Sequence, residues 1–199
     1  MIEKMAGKEI IIRPAKYSEL DYIAQNTEGN ITTEAFIKFL KCAYEMEPQY
    51  VLVATIDNEV VGHMVGISSY WRLLLKLVRR GGVLRLLTRG LVDRPPLDYR
   101  LLLGAQIGPL TVYPNYRQMG IAKLLSKRMA EVFQSKEIMG WTKETNTPIR
   151  IMAAGMFNEM GFSYNEFNCG RGWLRYEATR NAQLIEGDAL VKDGKDLGC

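Results

Sequence analysis

The stretch from Ile107 to Ala122 constrains this chain most. It reads Ile107-Gly-Pro-Leu-Thr-Val-Tyr-Pro-Asn-Tyr-Arg-Gln-Met-Gly-Ile-Ala122, an apolar run that turns through a proline loop into a helix start without bulky side chains. The first turn of a helix leaves backbone N–H groups without acceptors, and the dipole there favours an anion. Arg117 adds a guanidinium fork, while Gly120 and Ala122 let a pyrophosphate approach the backbone closely. Leu101 to Val112 is apolar enough for a central strand, and Gly104, Gly108 and Pro109 predict a bulge or splay near its end. Helical periodicity follows in Leu124, Leu125, Met129 and Val132.

The flanking sequence predicts the rest of a sheet. Ile10 to Ile12, ended by Arg13-Pro14, read as a first strand, and Ser18 to Gln25 as a helix with Ser18 as its N-cap. Thr32 or Thr33 caps a second helix carrying Phe36, Phe39, Leu40 and Tyr44 up to Met46. Tyr50 to Ile56 and Val60 to Ile67 form a hairpin about Asp57-Asn58-Glu59. After the central helix come a strand at Ile138 to Lys143, a helix from Pro148 ended by Gly161, and two closing strands, Phe162 to Phe167 and Trp173 to Tyr176. The order is mixed α/β around one sheet, a single domain over residues 1–180 with a polar tail at 181–199.

Charge is local. Tyr70 to Arg100 holds eight cations (Arg72, Lys76, Arg79, Arg80, Arg85, Arg89, Arg94, Arg100) against Asp93 and Asp98, so its +6 leaves the rest of the +4 chain near −2. A generally basic nucleic-acid binder is disfavoured, and no nucleic-acid partner is expected. Cys42, Cys169 and Cys199 are odd in number and lack C-x-x-C spacing, which argues against a disulfide framework or zinc site and fits a reducing cytoplasm. His63 is the only histidine; no metal is expected, and a satisfied core or rim histidine is its plain reading. No uncharged apolar stretch reaches the length of a spanning helix, so a soluble chain is expected.

On these residues the chain resembles the GNAT superfamily, whose signature Q/R-x-x-G-x-G/A is met by Arg117, Gly120 and Ala122. The resemblance covers about residues 8 to 178, including Ile12-Arg-Pro14, the central hairpin and the block from Asn146 to Asn158-Glu-Met-Gly-Phe162. It implies a mostly antiparallel central sheet splayed at the fourth strand, with helices on both faces. It implies an N-acyltransferase that moves an acyl group from acetyl-CoA, or a longer acyl-CoA, to a primary amine by direct attack on the thioester. Leu110, Thr111 and Val112 would meet the pantetheine arm, Arg117, Gln118, Met119, Gly120, Ile121 and Ala122 the pyrophosphate, and Asn146 the thioester end. The residues themselves agree in offering no nucleophile with an obvious base.

Two departures stand out. Where many members carry a tyrosine that protonates the leaving thiolate, this chain places Phe157, which lines the cofactor site without a proton to give. Tyr164 or water is then the acid, or the thiolate leaves unassisted, a thiol having a pKa near about 8.5. Glu144 is the candidate base if strand alternation turns it to the cleft, whereas Gln106, where some relatives place a glutamate, is a useless proton acceptor. The second departure is an insert at about 69–100, between the third and fourth strands, read as two short basic amphipathic helices and a tether. It is a lid over a long acyl chain or peptide acceptor, an amphipathic element (residues 71–92) for an anionic membrane or nucleic acid, or a packed subdomain or homodimer contact. The acceptor is a small-molecule or peptide amine. The competing readings of the whole are a non-catalytic acyl-CoA-binding or sensor module and a membrane-surface acyl-CoA-dependent protein.

Overall fold

A computed structural model of the chain describes residues 2–5, 7–27, 33–79, 105–133, 137–170 and 172–181. One eight-stranded sheet runs in the order β1-β2-β3-β4-β5-β6-β8-β7, with β1 Ile2–Met5, β2 Lys8–Pro14, β3 Val51–Ile56, β4 Glu59–Ile67, β5 Ala105–Val112, β6 Glu137–Lys143, β7 Phe162–Asn168 and β8 Trp173–Arg180. Every neighbouring pair is antiparallel except β5 with β6. The helices are α1 Leu20–Gln25, α2 Thr33–Met46, α3 Tyr70–Arg79, α4 Ile121–Val132 and α5 Thr147–Glu159.

The predicted elements are found with small changes of boundary and two corrections. The polar segment before Lys8 pairs as β1, Ile2 opposite Ile11, a strand that its charged residues hide from a hydrophobicity reading. Ser18 does not cap α1. It lies inside a 3₁₀ turn, Tyr17–Glu19, and the Lys16 N–H is taken instead by the Glu19 carboxylate at 2.7 Å, which Arg13 clamps at 2.6 Å from β2. The tie to Arg13 holds the Glu19 carboxyl below the usual carboxylate range. Of the two helices predicted in the insert, the first is α3; residues 80–104 lie outside the described residues, as do 182–199 of the tail.

Each face of the sheet carries its own core. Leu52, Ala54, Ile56, Val61, Met64 and Ile107 pack with Ile121, Leu125, Met129 and Phe133 of α4 and with Met156 and Phe157 of α5. On the other face Val51, Val53, Val65 and Ile67 pack with Leu20 and Ile23 of α1, Phe36 and Leu40 of α2, and Leu73 and Leu77 of α3. The β3–β4 hairpin turns on Asp57 and Asn58, both at positive φ (52° and 67°), the primed turn whose twist suits a two-residue hairpin.

Candidate active site

The sheet opens at its centre. β5 pairs with β6 only through Ala105–Ile138, Gln106–Met139 and Ile107–Gly140, whereas it stays on β4 as far as Val112, opposite Gly62. A register shift between Met64 and Gly66, facing Gly108-Pro109, bends β5 away from its parallel neighbour. Ala105 to Ile107 are buried, and Gly108 to Val112 only half so. Leu110, Thr111 and Val112 therefore lie along the open flank, where an extended ligand with amide groups can add to the strand edge.

The chain then turns at once into the helix. A 3₁₀ turn, Pro114–Tyr116, leads to Arg117, whose Nε donates to the Val112 carbonyl at 3.1 Å and closes the loop on the end of β5. Gln118 and Gly120 both lie in the left-handed region (φ 64° and 70°), and Gly120 is the N-cap of α4 with no side chain to cover the first N–H groups. Curled backbone of this kind presents its N–H groups as an anion-binding concavity. Met119 and Ala122 are half-buried beside it, and Ile121 is buried as the anchor of the turn.

The later residues fall into two places. Asn146 is exposed, at the N-cap of α5, its N–H bonded to the Lys143 carbonyl and its carbonyl taken by the Arg150 N–H. Glu144 is exposed two residues earlier, with its N–H on the Gly172 carbonyl. Phe157 is 1 % exposed, enclosed by Phe162, Tyr164 and Tyr176 with ring centroids 5.6–6.1 Å away. The half-buried Tyr164 donates its hydroxyl proton to Glu166 at 2.9 Å, and burial followed by that carboxylate pushes its pKa up. Arg150 grips Glu166 at 2.6 Å and reaches the Glu144 carbonyl at 3.2 Å, so Tyr164 and Glu144 are joined through one guanidinium.

That guanidinium was not singled out in the sequence. The signal was the spacing of Tyr164 and Glu166, two apart on a strand and so on one face. His63 differs from expectation too: it is fully buried, but only half satisfied. Its Nε2 lies 3.3 Å from Thr27 Oγ1, whose own proton goes to the Ile23 carbonyl, while Nδ1 has no partner among the described residues. Burial drives its pKa down to about 4. Among the described residues no cluster could hold a metal ion, and no helix is long and apolar enough to cross a membrane.

Comparison with known proteins bears on this geometry. No curated protein matches the sequence. Solved structures of the same fold include diaminobutyrate acetyltransferase from Paenibacillus lautus, in complex with diaminobutyric acid and coenzyme A (11% identity, TM-score 0.59, covering 87% of this chain and 96% of that one). An N-acetyltransferase from Staphylococcus aureus Mu50 aligns at 16% identity and TM-score 0.56 over 84% of this chain and 98% of that one. A chain of the NatC complex bound to Gag peptide and CoA aligns at 16% identity and TM-score 0.51 over 87% and 99%. Such identities speak for the fold alone. Residues 17–162 match the acetyltransferase (GNAT) family itself, a span that holds the splayed strand, the Gly120 helix start and the Asn146 turn. The chain belongs to the GNAT acetyltransferase family and is a GNAT-type N-acyltransferase.

Proposed function

We propose that this enzyme transfers an acetyl group from acetyl-CoA to a primary amine, with the pantetheine arm along Leu110, Thr111 and Val112 and the pyrophosphate in the turn from Arg117 to Ala122. The observation that carries this reading is the continuity of the open flank of β5 with the uncapped α4 start, strand edge and anion site in one line. A longer acyl chain remains the second reading, because the apolar insert that would enclose it begins with α3, and each buried methylene adds about 0.8 kcal/mol.

In the reaction the amine nitrogen attacks the thioester carbon, the C–S bond breaks, and the proton lost by nitrogen is balanced by one gained by sulfur. Asn146 stands at the thioester end. Glu144, exposed in the turn after β6, takes the amine proton by way of water. Tyr164 already spends its proton on Glu166, and Phe157 has none, so the thiolate leaves and is protonated by solvent.

The test is thermal stability with CoA, acetyl-CoA and longer acyl-CoAs, combined with turnover on a panel of amines. A native-state ligand at about a hundred times its Kd adds roughly 2.7 kcal/mol. Arg117→Ala and Gly120→Leu should lose most of the shift while keeping their circular dichroism. Glu144→Gln should lower kcat/KM on the order of 100-fold with CoA affinity unchanged, and Tyr164→Phe should keep its kcat. Unchanged CoA affinity in both site variants would remove the site; a shift that grows with acyl length would replace acetyl by the longer donor.

A further inference from the structure

Ile107 of β5, Gly140 of β6 and Tyr176 of β8 stand in one row across three strands, and the first two are the last pair before the sheet opens. Ile107 and Tyr176 belong, with Phe157, to the core on the α4 and α5 side. Gly140 between them has no side chain, and a Cβ there would fall on the Tyr176 ring and hydroxyl. The ring therefore lies over β6, with its hydroxyl beside Gly140 at the point where β5 and β6 part. Phe157 and Tyr164 pack along it, with ring centroids 6.1 and 5.8 Å away.

This hydroxyl stands apart from its neighbours. Phe157 has no proton to offer, and Tyr164 gives its own to Glu166. The Tyr176 hydroxyl has no hydrogen-bond partner among the described residues, yet it is not one of the unpartnered polar atoms sealed from water, as the Tyr113 hydroxyl is. Burial pushes the Tyr176 pKa up, so the group keeps its proton and is a hydrogen-bond donor rather than an acid.

The order of the acyl-CoA line gives that donor an acceptor. With the pyrophosphate in the turn from Arg117 to Ala122 and the pantetheine arm running back along Val112 to Leu110, the sulfur end points to the closed end of the splay. The Ile107–Gly140 pair forms that closed end. Negative charge gathers on sulfur as the thioester breaks, and a fixed donor aimed at developing charge is worth most where water is scarce.

We propose that Tyr176 is a catalytic residue of the acyl transfer, its hydroxyl donating a hydrogen bond to the thioester sulfur as the C–S bond breaks. The proposal rests on the acyl-transfer reading above and adds to it the group that meets the leaving thiolate. The amine nitrogen bonds to the carbonyl carbon, the C–S electron pair passes to sulfur, and Tyr176 stabilises that charge without losing its proton. Solvent then protonates the sulfur, and the surplus proton of the amine leaves by way of Glu144.

The experiment needs no knowledge of the acceptor. Affinities of CoA and of desulfo-CoA, which lacks the thiol, are measured by calorimetry under reductant at several pH values. A donor at the sulfur favours the bound thiolate, so between about pH 6.5 and 9.5 CoA should gain about tenfold over desulfo-CoA in the wild type. Tyr176→Phe, which keeps the ring and removes the donor, should abolish that gain and leave desulfo-CoA affinity and Tm unchanged. With any amine found to be acetylated, the same variant should lose about tenfold or more in kcat at an unaltered acetyl-CoA KM, whereas Tyr164→Phe should lose none. A flat ratio in the wild type, or a gain that survives in Tyr176→Phe, overturns the role of Tyr176 and leaves acyl transfer standing. Failure of the wild type to bind either ligand removes the acyl-CoA reading, and the role of Tyr176 with it.

Discussion

His63 shows how one buried side chain couples this fold to pH. It lies under α1 and α2 with Phe36 and Tyr113 against its ring, and burial favours the neutral imidazole. A folded-state pKa near 4 against about 6.5 unfolded means that the unfolded chain binds more protons between those values. The stability it contributes is complete above the unfolded pKa and lost as pH falls through that window, roughly 3 kcal/mol in all. Tm measured from pH 7 down to pH 4 should fall accordingly, and His63→Gln should flatten that part of the profile. A wild-type profile as flat as the variant's would mean that the imidazole is not enclosed. The sequence marked His63 as a satisfied core or rim residue from its apolar neighbours, but that its Nδ1 is unmet among the described residues depends on where Thr27, just past α1, and Phe36 of α2 arrive.

At the scale of elements, the seating of α4 on the sheet decides how the Gly120 turn is aimed. A Cβ on Gly66 would lie 2.6 Å from both Met129 Sδ and Phe133 Cζ, so the missing side chain lets the helix lie down on β4. Met129 can bend aside, but the Phe133 ring, itself held against a tilted Tyr50 ring with centroids 4.6 Å apart, has no comparable freedom. Gly66→Ala should cost about 1–3 kcal/mol in urea denaturation and weaken acyl-CoA binding in parallel, because the proposed pyrophosphate turn leads into the same helix. Wild-type stability in that variant would show that α4 is seated by other contacts. The helix itself was legible from its periodicity, as were α2, α5 and the β3–β4 hairpin. β1 was not, because backbone pairing with β2 rather than an apolar pattern makes it a strand.

For the whole molecule, the short parallel pairing of β5 and β6 divides the sheet into two halves that meet at three residue pairs. One half is sealed by α1 to α4, the other backed by α5, and the open flank of β5 lies between them. Acyl-CoA seated there should slow amide hydrogen exchange at Gly108 and Leu110 to Val112 and from Gln118 to Ala122, while β1 and β2, at the far edge, stay unchanged. Protection spread evenly over the sheet would point to general stabilisation and not to a ligand in the splay.

The sequence by itself determined the mixed α/β order, the disturbed central strand and the glycine-marked helix start, because each rests on local rules: side-chain period, proline and glycine geometry, and unpaired N–H groups at a helix end. It also placed Leu110 to Ala122 as one continuous line, since these residues are neighbours in the chain. Only the tertiary structure decided that Tyr164 is linked by way of Glu166 and Arg150 to the main-chain carbonyl of Glu144, that Phe157 belongs to a buried aromatic cluster, and that Trp141 and Trp173 share a face. Those relations join residues far apart in sequence, and their distances are fixed by strand register and helix packing, which no single stretch of the chain encodes.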